Sequence, residues 1–430
     1  IASTAPPLLP VIMLPLRPHV GVRVQELSEF KEFTVDFPPD LKGEAMSMGE
    51  RTPLASVNAA ASGRMAVAEA ITNLLAAPIQ LDRVKLSANW MAACGEEGED
   101  VALYDTVHAV GMELCPALGI SIPVGKDSLS MRTQWQQDGI DHKVTSPVSL
   151  IVSAFVSLAD VRQTLTPQLN AEEETTLVLV QLGLGARRMG GSILGQVLNQ
   201  FGDIVPDLDN PQNLVQLVNA INQLRSENKI LAYHDRSDGG LLAAVCEMAF
   251  AGQVGVALNV DILITESDGI QDSRADYGDS KNWATQVSAR REALTLEALF
   301  NEELGVVLQV RTEDRSAVMQ VLREHALSRF SHFIGKTRPA ASTIQAGVGE
   351  VQVWRDAKAV FKAPLPDLHQ VWDSTSWKIC QLRDNPACAD AEHAAVGVDG
   401  GCDVELEVSV NTARDGDRVV LYDGHCHPFQ

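Results

Sequence analysis

The stretch LAYHDRSDGGLLAAVCEMAFAG, at Leu231–Gly252, decides the fold of this chain. A short apolar run, Ile230–Tyr233, predicts a strand that opens into a polar turn at His234–Asp238. Gly239 and Gly240 then start a segment whose apolar residues recur at helical spacing, at Leu241, Leu242, Val245, Met248 and Ala249. The sequence therefore predicts a strand, a polar loop and a helix in succession.

This succession has a chemical consequence. A strand that leads into a glycine-started helix directs free backbone N–H groups and the positive end of the helix dipole at one point, which suits phosphate. Asp235 and Asp238 in the turn would repel a bare phosphate, but they could hold a Mg²⁺ ion that bridges to one. An Asx-type turn with a serine N-cap explains the same residues without a ligand, so both interpretations stay open.

The composition is that of a large acidic globular protein. The 430 residues are 45% hydrophobic, which is enough for two or three packed domains. The formal net charge of −22 disfavours nucleic acid and anionic membranes as partners, although a nucleotide can still bind through Mg²⁺ and backbone N–H groups. No apolar run has the length of a membrane span, which predicts a soluble protein. The seven cysteines lack zinc-ligand spacing, so we expect a reducing cytoplasm.

A helix predicted at Ala59–Ala76 carries further candidate ligands. It is rich in alanine, and one face collects Met65, Ala68, Ile71 and Leu75. Glu69 and Asn73 are four residues apart, so both project from the same side of this helix. On the sequence alone, a solvated helix surface is the commoner explanation of such a pair.

Two strands, a helix and a second polar turn follow. Arg83–Trp90 alternates as a strand does, and Ile120–Gly125 is a short apolar strand. Between them the helical spacing of Val101–Leu118 places inward Leu103, Val107, Val110 and Leu114. The second strand runs into a glycine-led turn with a cation, a carboxylate and a hydroxyl, at Lys126, Asp127 and Ser128. Lys126 could contact a phosphate or could be an ordinary turn lysine.

A boundary between two units is predicted at Gln163–Glu174, which contains a proline and a charge run. In the second unit we predict strands at Thr176–Leu182, Val256–Val260, Gly305–Val310 and near Phe330–Lys336. Helices are predicted at Ile193–Phe201, Asn213–Ser226, Leu294–Phe300 and Arg315–His325. Asp268–Asn282 is acidic and polar without a period, which predicts a surface insertion. The alternation of strands and helices favours α/β or α+β domains.

Eight blocks of sequence carry a resemblance to a known family. They are GEAMSMGERTP (43–53), KLSANWM (85–91), GEDVALYD (98–105), ELCPALGISIPVGKDSLSM (113–131), TSPVSLIVSAF (145–155), LAYHDRSDGGL (231–241), LFNEELGVVLQV (299–310) and LRDNPACADAEH (382–393). In this order and spacing they resemble the large bacterial phosphoribosylformylglycinamidine synthases, also called formylglycinamide ribonucleotide amidotransferases. The resemblance covers roughly residues 43–393.

The resemblance implies a fold and a division of the chain. The synthetase region of that family is a tandem pair of aminoimidazole-ribonucleotide-synthetase-like halves, and this chain resembles the second half only. It implies a two-lobed fold of the α/β to α+β class, with an N-lobe at residues 43–162, a C-lobe at 175–355 and a helical linker at 356–393. Residues 1–42 and 394–430 are atypical of the family, and we expect an internal piece with irregular ends.

The resemblance also implies a site. In the family, the positions of Glu69, Asn73, Asp235 and Ser237 bind magnesium attached to a tightly held nucleotide, ATP or ADP, in a second, pseudo-symmetric site. The turn with Lys126, Asp127 and Ser128 resembles a ligand-facing loop that contacts phosphate or substrate. A further magnesium-ligand aspartate of the family precedes the block at residues 43–53, and Val24–Phe33 supplies no matching motif.

The implied activity is that of a glutamine-dependent C–N ligase of de novo purine biosynthesis. In the complete enzyme, glutamine is hydrolysed to ammonia, ATP phosphorylates the formyl-amide oxygen of formylglycinamide ribonucleotide, and ammonia displaces the phosphate. The implied partners of this chain are therefore formylglycinamide ribonucleotide and ATP, together with the remaining synthetase half and the glutaminase domain. We expect this piece to carry the structural Mg-nucleotide site.

No catalytic residue is assigned in this chain. The glycine-rich ATP loop of the first half is missing, and Cys426 and His427 come too near the end to form a glutaminase triad. Two alternatives stay open, namely a stand-alone ATP-using member of the wider synthetase superfamily and a non-catalytic nucleotide-binding partner subunit.

Overall fold

The computed structural model describes residues 20–24, 42–171, 173–264, 280–338 and 349–396, with residues 20–24 and 280–287 described by their backbone alone. The N-terminal lobe is built on a sheet of the strands β1 (Val20–Val24), β2 (Gly43–Glu50), β3 (Lys85–Met91), β4 (Ser121–Ser128) and β7 (Ser149–Leu158). Their order is β1–β2–β7–β3–β4, and every neighbouring pair is antiparallel except β3 and β4. A separate hairpin consists of β5 (Arg132–Gln137) and β6 (Ile140–Thr145). The strand β1 and the hairpin were not predicted, and the rest of Val24–Phe33 lies outside the described residues.

The helix α1 (Ala59–Leu74) covers one face of this sheet and confirms the helix predicted at Ala59–Ala76. Asn58 caps it by accepting a hydrogen bond from the Ala61 N–H. The second lobe packs against its other side, so nearly every residue of α1 is buried. Glu69 and Asn73 are 4% and 2% exposed, which excludes the solvated-surface explanation of this pair.

The next helix contains one irregular turn. The helix α2 (Glu99–His108) runs through a π-helical turn at Ala109–Leu114 into α3 (Cys115–Leu118). Val110 and Leu114 are buried as expected, but Val107 is 41% exposed, so its predicted inward position was wrong. A π turn inserts an extra residue into the helical repeat, and residues before it therefore lose phase with those after it.

The C-terminal lobe is built on a sheet of β8 (Thr175–Gln181), β9 (Ala232–Arg236), β10 (Gly255–Asn259), β11 (Gly305–Arg311), β12 (Ser331–Arg338), β13 (Glu350–Arg355) and β14 (Lys358–Pro364). The order is β14–β13–β10–β12–β8–β11–β9, with β10 and β13 parallel and the other neighbours antiparallel. β8 is buried along its whole length because helices or the other lobe cover both faces. Val178 and Val180 enter a core shared with the N-terminal lobe, whereas Leu177 and Leu179 enter the core on the opposite face.

The helices of this lobe are α4 (Ile193–Val197), α5 (Pro211–Ser226), α6 (Gly240–Gly252), α7 (Asp261–Ile264), α8 (Ser280–Phe300) and α9 (Arg315–Glu324). They are followed by α10 (Leu365–Arg383) and α11 (Pro386–Ala395). α4 ends before the predicted Phe201, because Asn199 adopts a left-handed φ of 52° and turns the chain. No helix in the described part of the chain combines the length and the apolar character that a membrane crossing requires.

Two polar segments predicted as turns are strands instead. His234, Asp235 and Arg236 belong to β9 and pair with β11, and buried partners contact two of their side chains, His234 through Glu247 and Arg236 through the Glu303 carbonyl. Residues 125–128 extend β4, because they pair in parallel with β3 and place Lys126 opposite Asn89.

The predicted insertion Asp268–Asn282 lies outside the described residues as far as residue 279, and α8 begins at Ser280. The segment 356–393, expected to be a helical linker, starts with β14 before α10 and α11 follow. The domain boundaries themselves stay a prediction.

Candidate nucleotide and metal site

A buried polar cluster lies where the two lobes meet. Tyr233 in β9 donates a hydrogen bond from its hydroxyl to the carbonyl oxygen of Thr72 in α1, at 2.6 Å. Because side chains alternate along a strand, Asp235 points to the same side of β9 as Tyr233 and therefore towards α1. The cluster combines residues of both lobes, namely Glu50, Arg51, Glu69, Asn73, Asp235, Asp238 and Glu302, and Ser237 lies in the chain between Asp235 and Asp238.

Arg51 is the cation of this cluster. Its guanidinium is 2% exposed, donates to Glu302 Oε2 at 2.5 Å and lies 3.9 Å from Asp238 Oδ1. Burial, the largest effect, lowers the pKa of Arg51, but the carboxylates of Glu302, Glu69, Asp238 and Glu50 together raise it above its ordinary value. Arg51 is therefore a permanent positive charge that ties the end of β2 to the C-terminal lobe.

Glu302 also occupies the start of α6. Its Oε1 accepts hydrogen bonds from the backbone N–H groups of Gly239 and Ile193, both at 2.9 Å. The N–H of Gly240 donates to the carbonyl oxygen of Ser237, at 3.0 Å. A protein carboxylate therefore takes the place predicted for phosphate at this helix, and the helix is capped by Gly239 with φ 78° rather than by a serine side chain.

Glu69 carries a strongly perturbed carboxyl group. Its Oε2 accepts a hydrogen bond from the Glu50 N–H at 2.7 Å. Burial raises the pKa of Glu69 to about 8, with the nearby carboxylates of Asp235 and Asp238 adding to the rise and Arg51 opposing it. Glu69 is therefore mostly protonated at neutral pH, and a bound cation would favour its charged form.

Asn73 provides an orphaned acceptor beside these carboxylates. Its Nδ2 donates to the carbonyl oxygen of Met48 at 2.8 Å, which fixes the orientation of the amide. Its Oδ1 is buried and accepts no hydrogen bond from any described residue. A buried polar atom without a partner is costly, so a ligand at this atom would stabilise the folded protein.

The donor set fits a hard cation. Glu69 and Asp235 offer carboxylate oxygens, Asn73 an amide oxygen and Ser237, which is 9% exposed in the loop before α6, a hydroxyl. Oxygen donors of this mixture suit Mg²⁺ when phosphate and water complete its coordination. In the described ranges no three His, Cys, Asp or Glu residues are arranged to hold a metal, so a cation here would depend on the neutral donors and on a ligand.

His234 connects the cluster to the other face of β9. Its Nδ1 lies 3.3 Å from Asp235 Oδ1, and its Nε2 lies 3.1 Å from Glu247 Oε2 on α6. Burial, the largest effect, lowers the pKa of His234, but the bonds to Asp235 and Glu247 outweigh it and raise the pKa to about 10. The imidazole therefore carries a positive charge that balances Asp235 at neutral pH.

The three residues of the second predicted contact lie elsewhere. Lys126, Asp127 and Ser128 are exposed on β4, at the opposite edge of the sheet from β1. β4 is three strands away from β2, roughly 14 Å across the sheet. The structure does not bring these residues into the buried cluster, and a phosphate or substrate contact there stays a separate prediction.

Sequence reasoning missed two central residues, Arg51 and Glu302, and the role of Glu247. Arg51 and Glu302 do lie in the blocks GEAMSMGERTP and LFNEELGVVLQV, so the resemblance contained a signal for both.

The cysteines give no sign of a catalytic thiolate in the described residues. Cys426 and His427 lie outside those residues, and burial raises the pKa of Cys246 to about 12, which disfavours a thiolate there.

Comparison with known proteins gives two family matches. The description "FGAR-AT PurM_N-like domain" matches residues 24–157, and "AIR synthase related protein, C-terminal domain" matches residues 177–345. The first match starts at residue 24, inside the segment 1–42 that was expected to be atypical. The two matches confirm the two-lobed α/β to α+β fold.

Two solved structures of a PurL share the fold of this chain. A PurL from T. maritima complexed with FGAR has a TM-score of 0.54 and 12% identity, covering 77% of this chain and 46% of that one. The same protein complexed with ADP has a TM-score of 0.50 and 13% identity, with coverage of 76% and 44%. The hydrogenase maturation protein HypE has a TM-score of 0.45 and 15% identity, with coverage of 78% and 91%. This chain thus spans about half the length of the PurL chains it matches, and at these identities the likeness shows the fold alone.

Proposed function

We propose that this chain, which carries the N- and C-terminal domains of the AIR-synthase-related superfamily, contributes a structural Mg-nucleotide site to a phosphoribosylformylglycinamidine synthase. The observation that supports this most is the convergence of Glu69, Asn73 and Asp235, from two lobes, in one buried cluster with an orphaned acceptor. Such a cluster is costly without a ligand and favourable with one.

In this proposal Glu69 and Asp235 bind the cation through carboxylate oxygens, and Asn73 and Ser237 add neutral donors. Bound Mg²⁺ would favour the charged form of Glu69 and link the protein to the phosphates of ADP or ATP. Arg51 and Glu302 hold the end of β2 against the loop before α6, so the two halves of the donor set keep their separation. The chain's own residues bind and orient, and none of them is assigned a step in the chemistry.

The complete enzyme would be the ligase that converts formylglycinamide ribonucleotide to the amidine with ATP and glutamine-derived ammonia. The family description matched at residues 24–157 is named for that amidotransferase, which supports the choice within the superfamily. The remaining synthetase half and the glutaminase domain would be the partners of this chain in the cytoplasm. The exposed Lys126, Asp127 and Ser128 would contact phosphate or substrate at a separate place.

The test is the melting temperature of the chain with and without Mg-ADP, in the parent, Asp235→Asn and Asp141→Asn. A nucleotide that binds only the folded state stabilises it by about 3 kcal/mol at a hundredfold excess over its Kd. Asp235→Asn should lose most of this shift, because it removes both a ligand and a balancing charge. Asp141→Asn, on the exposed hairpin, should keep it.

Two outcomes would contradict the proposal. One is an equal shift in the parent and in Asp235→Asn, and the other is no shift in the parent at saturating Mg-ADP. Ammonia-dependent turnover of ATP by the isolated chain would instead support a stand-alone synthetase.

A further inference from the structure

Three side chains form a continuous connection between helix α10 and the buried cluster. Trp372 on α10 donates from its Nε1 to Glu247 Oε1 on α6, at 3.1 Å. The other oxygen of the same carboxylate, Glu247 Oε2, lies 3.1 Å from His234 Nε2. The opposite ring nitrogen, His234 Nδ1, hydrogen-bonds to the backbone carbonyl oxygen of Asp235 at 2.6 Å and lies 3.3 Å from Asp235 Oδ1. Both oxygens of Glu247 and both nitrogens of His234 are therefore used.

The α10 end of this connection is held by aromatic packing. His369 stacks on Phe250 of α6 with ring centroids 4.5 Å apart, and Trp372 lies within 6.3 Å of the Phe250 ring. Trp372 and Leu368 pack against the core that contains α6. The position of α10 on α6 therefore determines where the indole N–H meets Glu247.

Each member restricts the next one. Glu247 is partly buried, with its side chain 19% exposed, and the indole N–H fixes one of its oxygens. The His234 side chain is 5% exposed, and its ring plane is set by the Glu247 carboxylate on one side and by the backbone carbonyl and carboxylate of Asp235 on the other. In proteins that bind metals, partners that orient a ligand from behind are worth about 10- to 100-fold in metal affinity.

We infer that the docking of α10 on α6 positions Asp235 through Trp372, Glu247 and His234, and so controls how tightly the chain holds a magnesium-bound nucleoside diphosphate. This inference rests on the proposed function, because it assigns a control to the same site. Trp372, Glu247 and His234 are positioning residues, since none of them belongs to the donor set. α10 lies beyond residue 345, where the C-terminal family match ends, so the control comes from outside the matched domain.

Coupling of this kind is reciprocal. If the docking of α10 on α6 changes nucleotide affinity, then bound nucleotide must shift the docking equilibrium of α10 by the same coupling free energy. The environment of Trp372 should change with it. The parent chain can therefore report on the connection without any substitution.

The test compares Trp372→Phe with Trp377→Phe, using Mg-ADP as the probe and isothermal titration as the readout. Trp372→Phe keeps one aromatic ring near Phe250 but removes the indole N–H together with the second ring of the indole. Trp377 is the matched control, because it lies on the same helix and donates its N–H to Asp390 on α11 at 2.9 Å, away from α6. Trp372 lies further from the proposed cation than a residue that contacts a metal ligand directly, so we expect a smaller effect than for such a residue. Trp372→Phe should weaken Mg-ADP binding by about 3- to 10-fold, and Trp377→Phe should weaken it by less than about twofold.

A second readout uses the unsubstituted chain. Saturating Mg-ADP should shift the indole ¹H–¹⁵N resonance of Trp372 and leave that of Trp377 in place. Parent-like affinity in Trp372→Phe, or an unmoved Trp372 resonance on a chain that binds Mg-ADP, would overturn this inference and leave the proposed site intact. A parent chain that binds no Mg-ADP would overturn the proposed site, and the coupling with it.

Discussion

Glu69→Gln provides a test of the charge balance in the cluster. Burial and the neighbouring carboxylates raise the pKa of Glu69 from 4.5 to about 8 in the folded protein. The folded state therefore binds the Glu69 proton more tightly than the unfolded state does. For an acid with a raised pKa, the stabilisation is fully present below the unfolded pKa near 4.5 and is lost as the pH rises towards 8.

The size of the effect follows from the shift. Each pKa unit corresponds to about 1.4 kcal/mol, so the metal-free parent should lose up to about 5 kcal/mol of stability from this group between pH 4.5 and 8. Glu69→Gln keeps an oxygen that can accept from the Glu50 N–H but removes the titration. The variant should therefore gain stability over the parent at pH 8 and should show no such gain near pH 5.

The assay is urea unfolding at several pH values in EDTA, which keeps the site free of cation. Glu324→Gln on the exposed end of α9 serves as the control and should keep the pH dependence of the parent. Adding Mg-ADP should restore the parent at pH 8, because a cation favours the charged carboxylate. An identical pH dependence in the parent and Glu69→Gln would refute the reasoning.

Three further predictions concern packing and activity. Gly49→Ala should cost about 1–3 kcal/mol in urea unfolding, because the added methyl group would overlap the backbone of α1 at Ala66. Gly111→Ala, with nothing within 4 Å of the new atom, should be neutral or stabilising, and an equal loss in both would contradict this explanation. Tyr233→Phe should cost about 1 kcal/mol in the same assay by removing the bond to Thr72, whereas parent-like stability would mean that the bond adds nothing. The isolated chain should release no glutamate from glutamine above background, and release that one cysteine substitution abolishes would contradict this.

The sequence predicted those parts of the fold that depend on local patterns. The helix α1 follows from its alanine content and apolar spacing, and α6 follows from the glycine pair and the apolar face after it. Glycine at 239 is required because the residue adopts φ 78° and starts the helix. These signals lie within a few residues of each other, which is why one sequence suffices to detect them.

The burial of the cluster could not be predicted in the same way. Arg51 and Glu302 form their ion pair across 251 positions of sequence, and no periodicity encodes such a contact. Glu69 and Asn73 are buried because the second lobe covers the outer side of α1, which a single amphipathic helix would expose. Their ligand role came from resemblance, whereas the spacing alone favoured a solvated surface.

The same limit applies to the polar residues of β9. Polarity suggested a turn at His234–Arg236, but Glu247 contacts His234 and the backbone carbonyl of Glu303 accepts from Arg236 Nε, both from other parts of the chain. A polar segment is predicted to be exposed when the residues that pair with it cannot be identified from the sequence. Tertiary pairing therefore overrode the local signal.

The register of β9 determines which of its side chains face α1 and which face α6. Among the strands that the structure describes, β9 lies at the edge of its sheet and pairs with β11, with Asp235 opposite Val306. A slip of one residue would exchange the faces, so that His234 would point at α1 and Asp235 at α6. Two side-chain bonds oppose that slip from opposite faces, because Tyr233 is held by Thr72 and the Arg236 Nε donates to the Glu303 carbonyl at 2.7 Å. The orientation of Asp235 therefore depends on the bonds that Tyr233 and Arg236, its near neighbours in β9, make to other parts of the chain. Substitutions at Tyr233 or Arg236 should consequently weaken Mg-ADP binding, although neither residue belongs to the donor set.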